Sequence, residues 1–216
     1  MAAMAASAPL IVNDLGTRGE GGRLLVLLHG YGADEHDLAP VAPFIDPEGR
    51  FHTVCPRAPV DIFPYGAGWY ERDPGGAIPA DRFLASVDAV DATIDAVCAE
   101  HGLERSGAVV IGFSQGGAMA LASSLRRGGA GPPAAVACLS GMLARVEGLD
   151  YAFELPLPPI LVQHGIYDPL VTIDRGRTTH DTLTEHGADH IYREYPMQHE
   201  ITGESILDLA SWLDGV

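Results

Sequence analysis

Three short stretches of this chain carry residues that could do covalent chemistry. Gly112-Phe113-Ser114-Gln115-Gly116 reads G-x-S-x-G and sits between an apolar run, "AVVI", and a helical one, "AMALAS". A sharp strand-to-helix turn of that kind lifts its serine above the sheet, with glycines where neighbouring backbone crowds the turn. A serine hydroxyl is a weak nucleophile until a base takes its proton, and the base needs an acid to orient it. "VQHGIYDPLV" offers Asp168 just after a strand, and "EYPMQHEI" offers His199 just before the last helix. In the order Ser, Asp, His, these are the parts of a relay for acyl transfer through a covalent intermediate. His180, His186 and His190 compete for the base role but fall in or beside a helix away from that edge.

The tetrahedral oxyanion of such a reaction needs two backbone N–H donors. The residue after the nucleophile, Gln115, is one. "LLHGYGADEHDL" is the early loop that supplies the other, and Tyr31 is the expected donor, with His29 bracing the loop. The spacing of His29, Asp34, Glu35, His36 and Asp37 matches no zinc pattern, and a helix cap explains Asp37 better, so neither metal nor cofactor is expected. Trp69, between glycines and aromatics in "GAGWYE", and Met142 and Leu143, after "LSG", are the expected apolar wall of a substrate pocket beside Ser114.

Positioning these residues requires a sheet with one functional edge. Apolar strand-like runs end in or next to Gly or Pro at "LLVLLHG", "FHTVCP", "AVVIGF", "AAVACLSG", "PILVQHG" and "HIYREYP". Helical patterns alternate with them over Asp81–Glu100, Gln115–Arg127, Asp174–His186 and Glu200–Leu213. This alternation predicts an α/β fold with a mostly parallel central sheet and helices on both faces. Two long Pro/Gly-rich segments, Pro56–Ala80 and Gly141–Pro159, follow strand ends, at the edge where open α/β sheets bind ligands. One domain over residues 1–216 accounts for the pattern, with residues 1–9 read as a frayed start rather than a signal peptide.

Composition narrows the partners. The net charge is −16 and all 13 basic residues are arginine, which argues against nucleic acid or an anionic membrane. Three cysteines without paired spacing read as reduced, buried thiols, consistent with the cytoplasm. A small-molecule substrate is expected; whether the chain acts alone or as a homodimer is left open.

Taken together, "LLHGYGADEHDL", "PRAP", the Trp of "GWYE", "GFSQGGAMAL", "LSGML", "HGIYDPLV" and "YPMQHEI" resemble the small carboxylesterases of the phospholipase/carboxylesterase group, which includes the acyl-protein thioesterases. The resemblance runs from about Leu24 to Trp212. It implies an α/β-hydrolase fold with no separate cap domain. It also implies ester or thioester hydrolysis by Ser114, Asp168 and His199, with Tyr31 and Gln115 as oxyanion donors. Two departures bear on the substrate: Gln198 stands where many relatives have Gly, and the aromatic loop around Tyr65–Gly76 is unlike that of the animal thioesterases. The leading expectation is a serine carboxylesterase. A thioesterase or lysophospholipase with the same triad is the alternative, and a non-catalytic small-molecule receptor on the same fold is a remote one.

Overall fold

A computed structural model describes residues 7–17, 22–74, 76–154 and 156–216. Most of the expected frayed start, residues 1–6, lies outside the described residues; by Leu10 the backbone is already tied down, its N–H donating to Thr93 Oγ1 at 2.9 Å.

Strand β1 (Val12–Thr17) leads to β2 (Arg23–Leu28), whose side chains are almost all buried, as a central strand's must be. A single helical turn, α1 (Ala42–Ile45), precedes β3 (Phe51–Pro56). A two-stranded ribbon, β4 (Val60–Asp61) and β5 (Ala67–Gly68), lies within the segment expected to be loop. The long helix α2 (Ala80–His101) ends where Gly102 adopts a left-handed conformation. Then come β6 (Val109–Phe113), α3 (Gln115–Leu125), β7 (Ala135–Leu139), β8 (Ile160–Gly165), α4 (Ile173–Glu185), β9 (His190–Tyr195) and α5 (Gly203–Asp214).

The main sheet has seven strands in the order β1-β3-β2-β6-β7-β8-β9, all parallel except β1, which pairs antiparallel with β3. Its two faces carry alternate residues of the same strands. Leu24, Val26, Val110, Val136 and Val162 pack under α2 and α3, while Leu25, Leu27, Ile111, Ala137 and Leu161 pack under α1 and α5. The strands β2, β6, β7 and β8 therefore end together at one edge, and the loops leaving that edge meet. Strand β1 was not anticipated. Its sequence, "VNDLGT", has no apolar alternation, and its register shifts between Asp14 and Gly16, so an edge position and a bulge conceal it.

Candidate active site

Ser114 sits at the turn from β6 into α3 with φ 56° and ψ −116°, a region that L-residues seldom occupy and that costs about 1–3 kcal/mol. The surroundings enforce it. A Cβ on Gly112 would lie 2.0 Å from the carbonyl oxygen of Gly116, and one on Gly116 would lie 2.0 Å from that of Leu28. Only glycine at both positions lets α3 pack so close to the ends of β2 and β6, and that closeness thrusts Ser114 outward.

His199 arrives from the loop between β9 and α5. A capping box at the head of α5 anchors this loop: Thr202 accepts from the Ser205 N–H, and the Thr202 N–H donates to Ser205 Oγ at 2.9 Å. His199 Nε2 lies 2.9 Å from Ser114 Oγ, and Nδ1 lies 2.6 Å from Asp168 Oδ2. The imidazole also packs against the Phe113 ring, with centroids 4.9 Å apart. Asp168, almost fully buried after β8, is held by its other oxygen: Oδ1 accepts the N–H groups of Leu170 and Val171, each at 2.9 Å. A carboxylate can only accept, so His199 must carry its proton on Nδ1, leaving the Nε2 lone pair to face the serine hydroxyl.

A second histidine stands behind the acid. His164 on β8 is fully buried, with Nε2 2.7 Å from the Val171 carbonyl and 3.7 Å from Asp168 Oδ2. Burial lowers its pKa below the ordinary histidine value, which keeps it neutral and donating to Val171. It thereby fixes the loop whose N–H groups hold Asp168.

The loop after β2 closes over the serine from the other side. Gly32 N–H donates to the Ala67 carbonyl at 2.8 Å, and Ala67 N–H donates back to the Ala33 carbonyl at 2.7 Å, so ribbon strand β5 clamps the loop. Among the described residues, neither the Tyr31 nor the Gln115 N–H has a hydrogen-bond partner, and both residues line the same cavity as Ser114. Gln115 also contributes its side chain. Oε1 accepts from Trp69 N–H at 3.0 Å and Nε2 donates to the Tyr70 carbonyl at 2.9 Å, tying the loop at 69–70 to the turn that carries Ser114. His29 spends both ring nitrogens on backbone, Nδ1 with the Gly30 carbonyl at 2.7 Å and Nε2 with Ala58 N–H at 3.1 Å. Burial lowers its pKa as well, so it braces the loop as a neutral group.

The cavity has a volume of about 840 Å3. Phe113, Ala118, Met142, Leu170 and Val171 give it apolar surface near Ser114, and Asp37, Glu71 and Arg72 give it charge. Of the expected apolar wall, only Met142 lines it. Trp69 is a correction: it is fully buried, and its indole N–H donates to the His29 carbonyl at 2.8 Å, so it pins its own loop to the body. The glycine beside it serves Tyr31 instead, since a Cβ on Gly68 would lie 2.8 Å from the Tyr31 ring. Leu143 is a second correction. It turns inward against the core under α2, and its N–H donates to Thr179 Oγ1 of α4. Leu170 and Val171 were missed, although "DPLV" places them directly after the acid. His180 and His190 pair with each other at 2.8 Å and His186 stacks on Phe153, which engages all three elsewhere.

The three cysteines are free and buried, and burial pushes the Cys55 and Cys138 thiols up to about 12, far from any thiolate chemistry.

The family model described as phospholipase/carboxylesterase matches residues 17–216. A probable carboxylesterase of Oryza sativa subsp. japonica is 30% identical over 86% of this chain and 74% of its own length. An acyl-protein thioesterase 1 of Mycosarcoma maydis is 30% identical over 89% of this chain and 90% of its own. Among solved structures, a carboxylesterase from Mesorhizobium loti superposes with a TM-score of 0.83 at 26% identity, covering 96% of this chain and 99% of that one.

Proposed function

The chain belongs to the phospholipase/carboxylesterase family of carboxylic ester hydrolases, and from that premise we propose that Ser114, His199 and Asp168 perform its reaction, with Tyr31 and Gln115 N–H as the oxyanion hole. The observation that carries this assignment is the unbroken line from Ser114 Oγ to His199 Nε2 at 2.9 Å and from His199 Nδ1 to Asp168 Oδ2 at 2.6 Å.

The steps follow from the geometry. Ser114 Oγ attacks the acyl carbon as its proton passes to His199 Nε2, and Asp168 stabilises the imidazolium without taking a proton. The carbonyl oxygen gains a negative charge between two N–H groups that have no other partner among the described residues, so no bond among these is broken to receive it. The N-terminal end of α3 favours the same charge. His199 then protonates the departing alcohol or thiol, and water repeats the sequence on the acyl-enzyme. No step requires a cofactor.

The apolar surface of Phe113, Ala118, Met142, Leu170 and Val171 suits the acyl chain of a small ester, and the open mouth suits a varied leaving group. Thioesters react by the same steps. An acidic surface of net charge −16 and three reduced thiols fit a cytoplasmic protein that binds neither nucleic acid nor membrane; among the described residues, no helix is long and apolar enough to cross a bilayer.

A fluorophosphonate probe tests the assignment. Wild type should be labelled on Ser114 and lose its activity on p-nitrophenyl esters. Ser114→Ala should remain folded, escape labelling and lose at least ~10³-fold in turnover. Labelling of the Ala variant, or retention of most of its activity, would overturn the assignment.

A further inference from the structure

Away from the catalytic edge, Asp14 of β1, His52 of β3 and His101 at the end of α2 bring one ligand atom each to within 4.8 Å of one another. Asp14 Oδ1 is 2.9 Å from His52 Nε2, Asp14 Oδ2 is 3.4 Å from His101 Nε2, and the two imidazole rings lie 3.9 Å apart. These residues are distant in sequence and form no motif. His52 stands near the start of β3, so the cluster lies toward the opposite end of the strands from Ser114.

The geometry points to a binding site for a first-row divalent transition metal, of which Zn2+ is the natural probe. Two imidazoles and a carboxylate are a donor set that such ions prefer over Mg2+ or Ca2+. A tetrahedral ion with ligands at about 2.0–2.2 Å separates its donors by roughly 3.3–3.6 Å, close to the 2.9 and 3.4 Å observed between Asp14 and the two imidazoles. The second observation concerns His52, which is more than nine-tenths buried. Among the described residues its Nε2 makes no aligned hydrogen bond, and its nearest acceptor is the Asp14 carboxylate at 2.9 Å, itself a member of the cluster. A cation between these groups would satisfy that nitrogen and the carboxylate together.

The surroundings agree with a cation. His52 Nδ1 is 3.2 Å from Thr17 Oγ1, a hydroxyl that can accept the ring proton when Nε2 binds an ion. Asp14 Oδ1 is oriented by the Gly16 N–H at 2.7 Å. His101 occupies the last turn of α2, where the aligned carbonyls of a 22-residue helix favour positive charge. Asp14 and His101 are partly exposed, which leaves the ion a route in. Bound there, it would cross-link the antiparallel edge strand to β3 and to α2.

The test is equilibrium dialysis of chelator-stripped protein against zinc, paired with a thermal melt. Wild type should bind one equivalent from ~100 µM zinc and melt at a higher temperature with it. Asp14→Asn and His101→Ala alter exposed side chains and should fold. Each should weaken binding by at least ~10-fold, since losing even an outer-shell partner costs that much, and each should lose the zinc-dependent shift in melting temperature. His180→Ala, which disrupts the other histidine pair, should change neither. Cobalt should give a visible absorption band that the Asp14 and His101 variants lack. Wild type that binds no zinc, or variants that bind it as tightly as wild type, would overturn the inference.

Discussion

Asp168→Asn probes the relay more sharply than any truncation, because the structure dictates which way the new amide must face. Asp168 Oδ1 accepts two backbone N–H groups, from Leu170 and Val171. In an asparagine, the amide NH2 cannot occupy that position without opposing two donors, so the amide oxygen must stay there. The NH2 then faces His199 Nδ1, where the carboxylate oxygen lay 2.6 Å away. An NH2 only donates, so Nδ1 must accept and the ring proton moves to Nε2. The histidine now presents a proton, not a lone pair, to Ser114 Oγ. Shape and hydrogen-bond count are preserved, yet the base is gone. An Asp-to-Asn change with this tautomeric consequence costs on the order of 10⁴-fold in kcat, about 5.4 kcal/mol of transition-state stabilisation. The assay is steady-state hydrolysis of p-nitrophenyl butyrate by wild type and variant, with circular dichroism to verify the fold. A folded Asp168→Asn enzyme within about tenfold of wild-type kcat would refute the tautomer argument and with it the role given to Asp168.

Two further expectations concern stability and the cavity. His29 and His164 are both held neutral by burial, with pKa values below the ordinary one. The unfolded chain therefore binds more protons than the folded one below about pH 6.5, and stability should fall with pH there by up to ~1.4 kcal/mol per unit for each histidine. Urea midpoints measured from pH 8 to 5 should decline below that value, and His164→Asn should remove part of the slope; a flat profile would count against both assignments. Met142→Ala should enlarge the cavity and move the acyl preference to longer chains, by about 0.8 kcal/mol per methylene accommodated, whereas Trp69→Ala should lower stability by about 3–5 kcal/mol with the preference unchanged. Assays on acetyl to octanoyl esters alongside thermal melts decide this, and an unaltered melt with a shifted optimum for Trp69→Ala would return that side chain to the cavity wall.

What could be read from the sequence divides along physical lines. The six parallel strands and the four longer helices were legible because each is amphipathic or wholly apolar with a Gly or Pro stop, and burial enforces that pattern residue by residue. The residues of the proposed relay could be picked out because chemistry restricts their types: few strand-to-helix turns need glycines two positions before and two after the same spot, and the clashes at Gly112 and Gly116 show why this one does. Strand β1 was illegible because an edge strand is secured by backbone bonds to β3, which "VNDLGT" can make without apolar alternation. Trp69 misled for a related reason. Its neighbouring glycine signals a close approach, but sequence does not say of what, and the approaching group is the Tyr31 ring. The indole N–H also needs an acceptor wherever it is buried, and the His29 carbonyl provides it directly beneath the loop proposed to carry the Tyr31 oxyanion donor. The aromatic thus serves the site from behind: it holds the backbone that holds the Tyr31 N–H. A residue type with a large apolar body and one polar handle fits a pocket wall and a loop anchor equally well until the partner of its N–H is known.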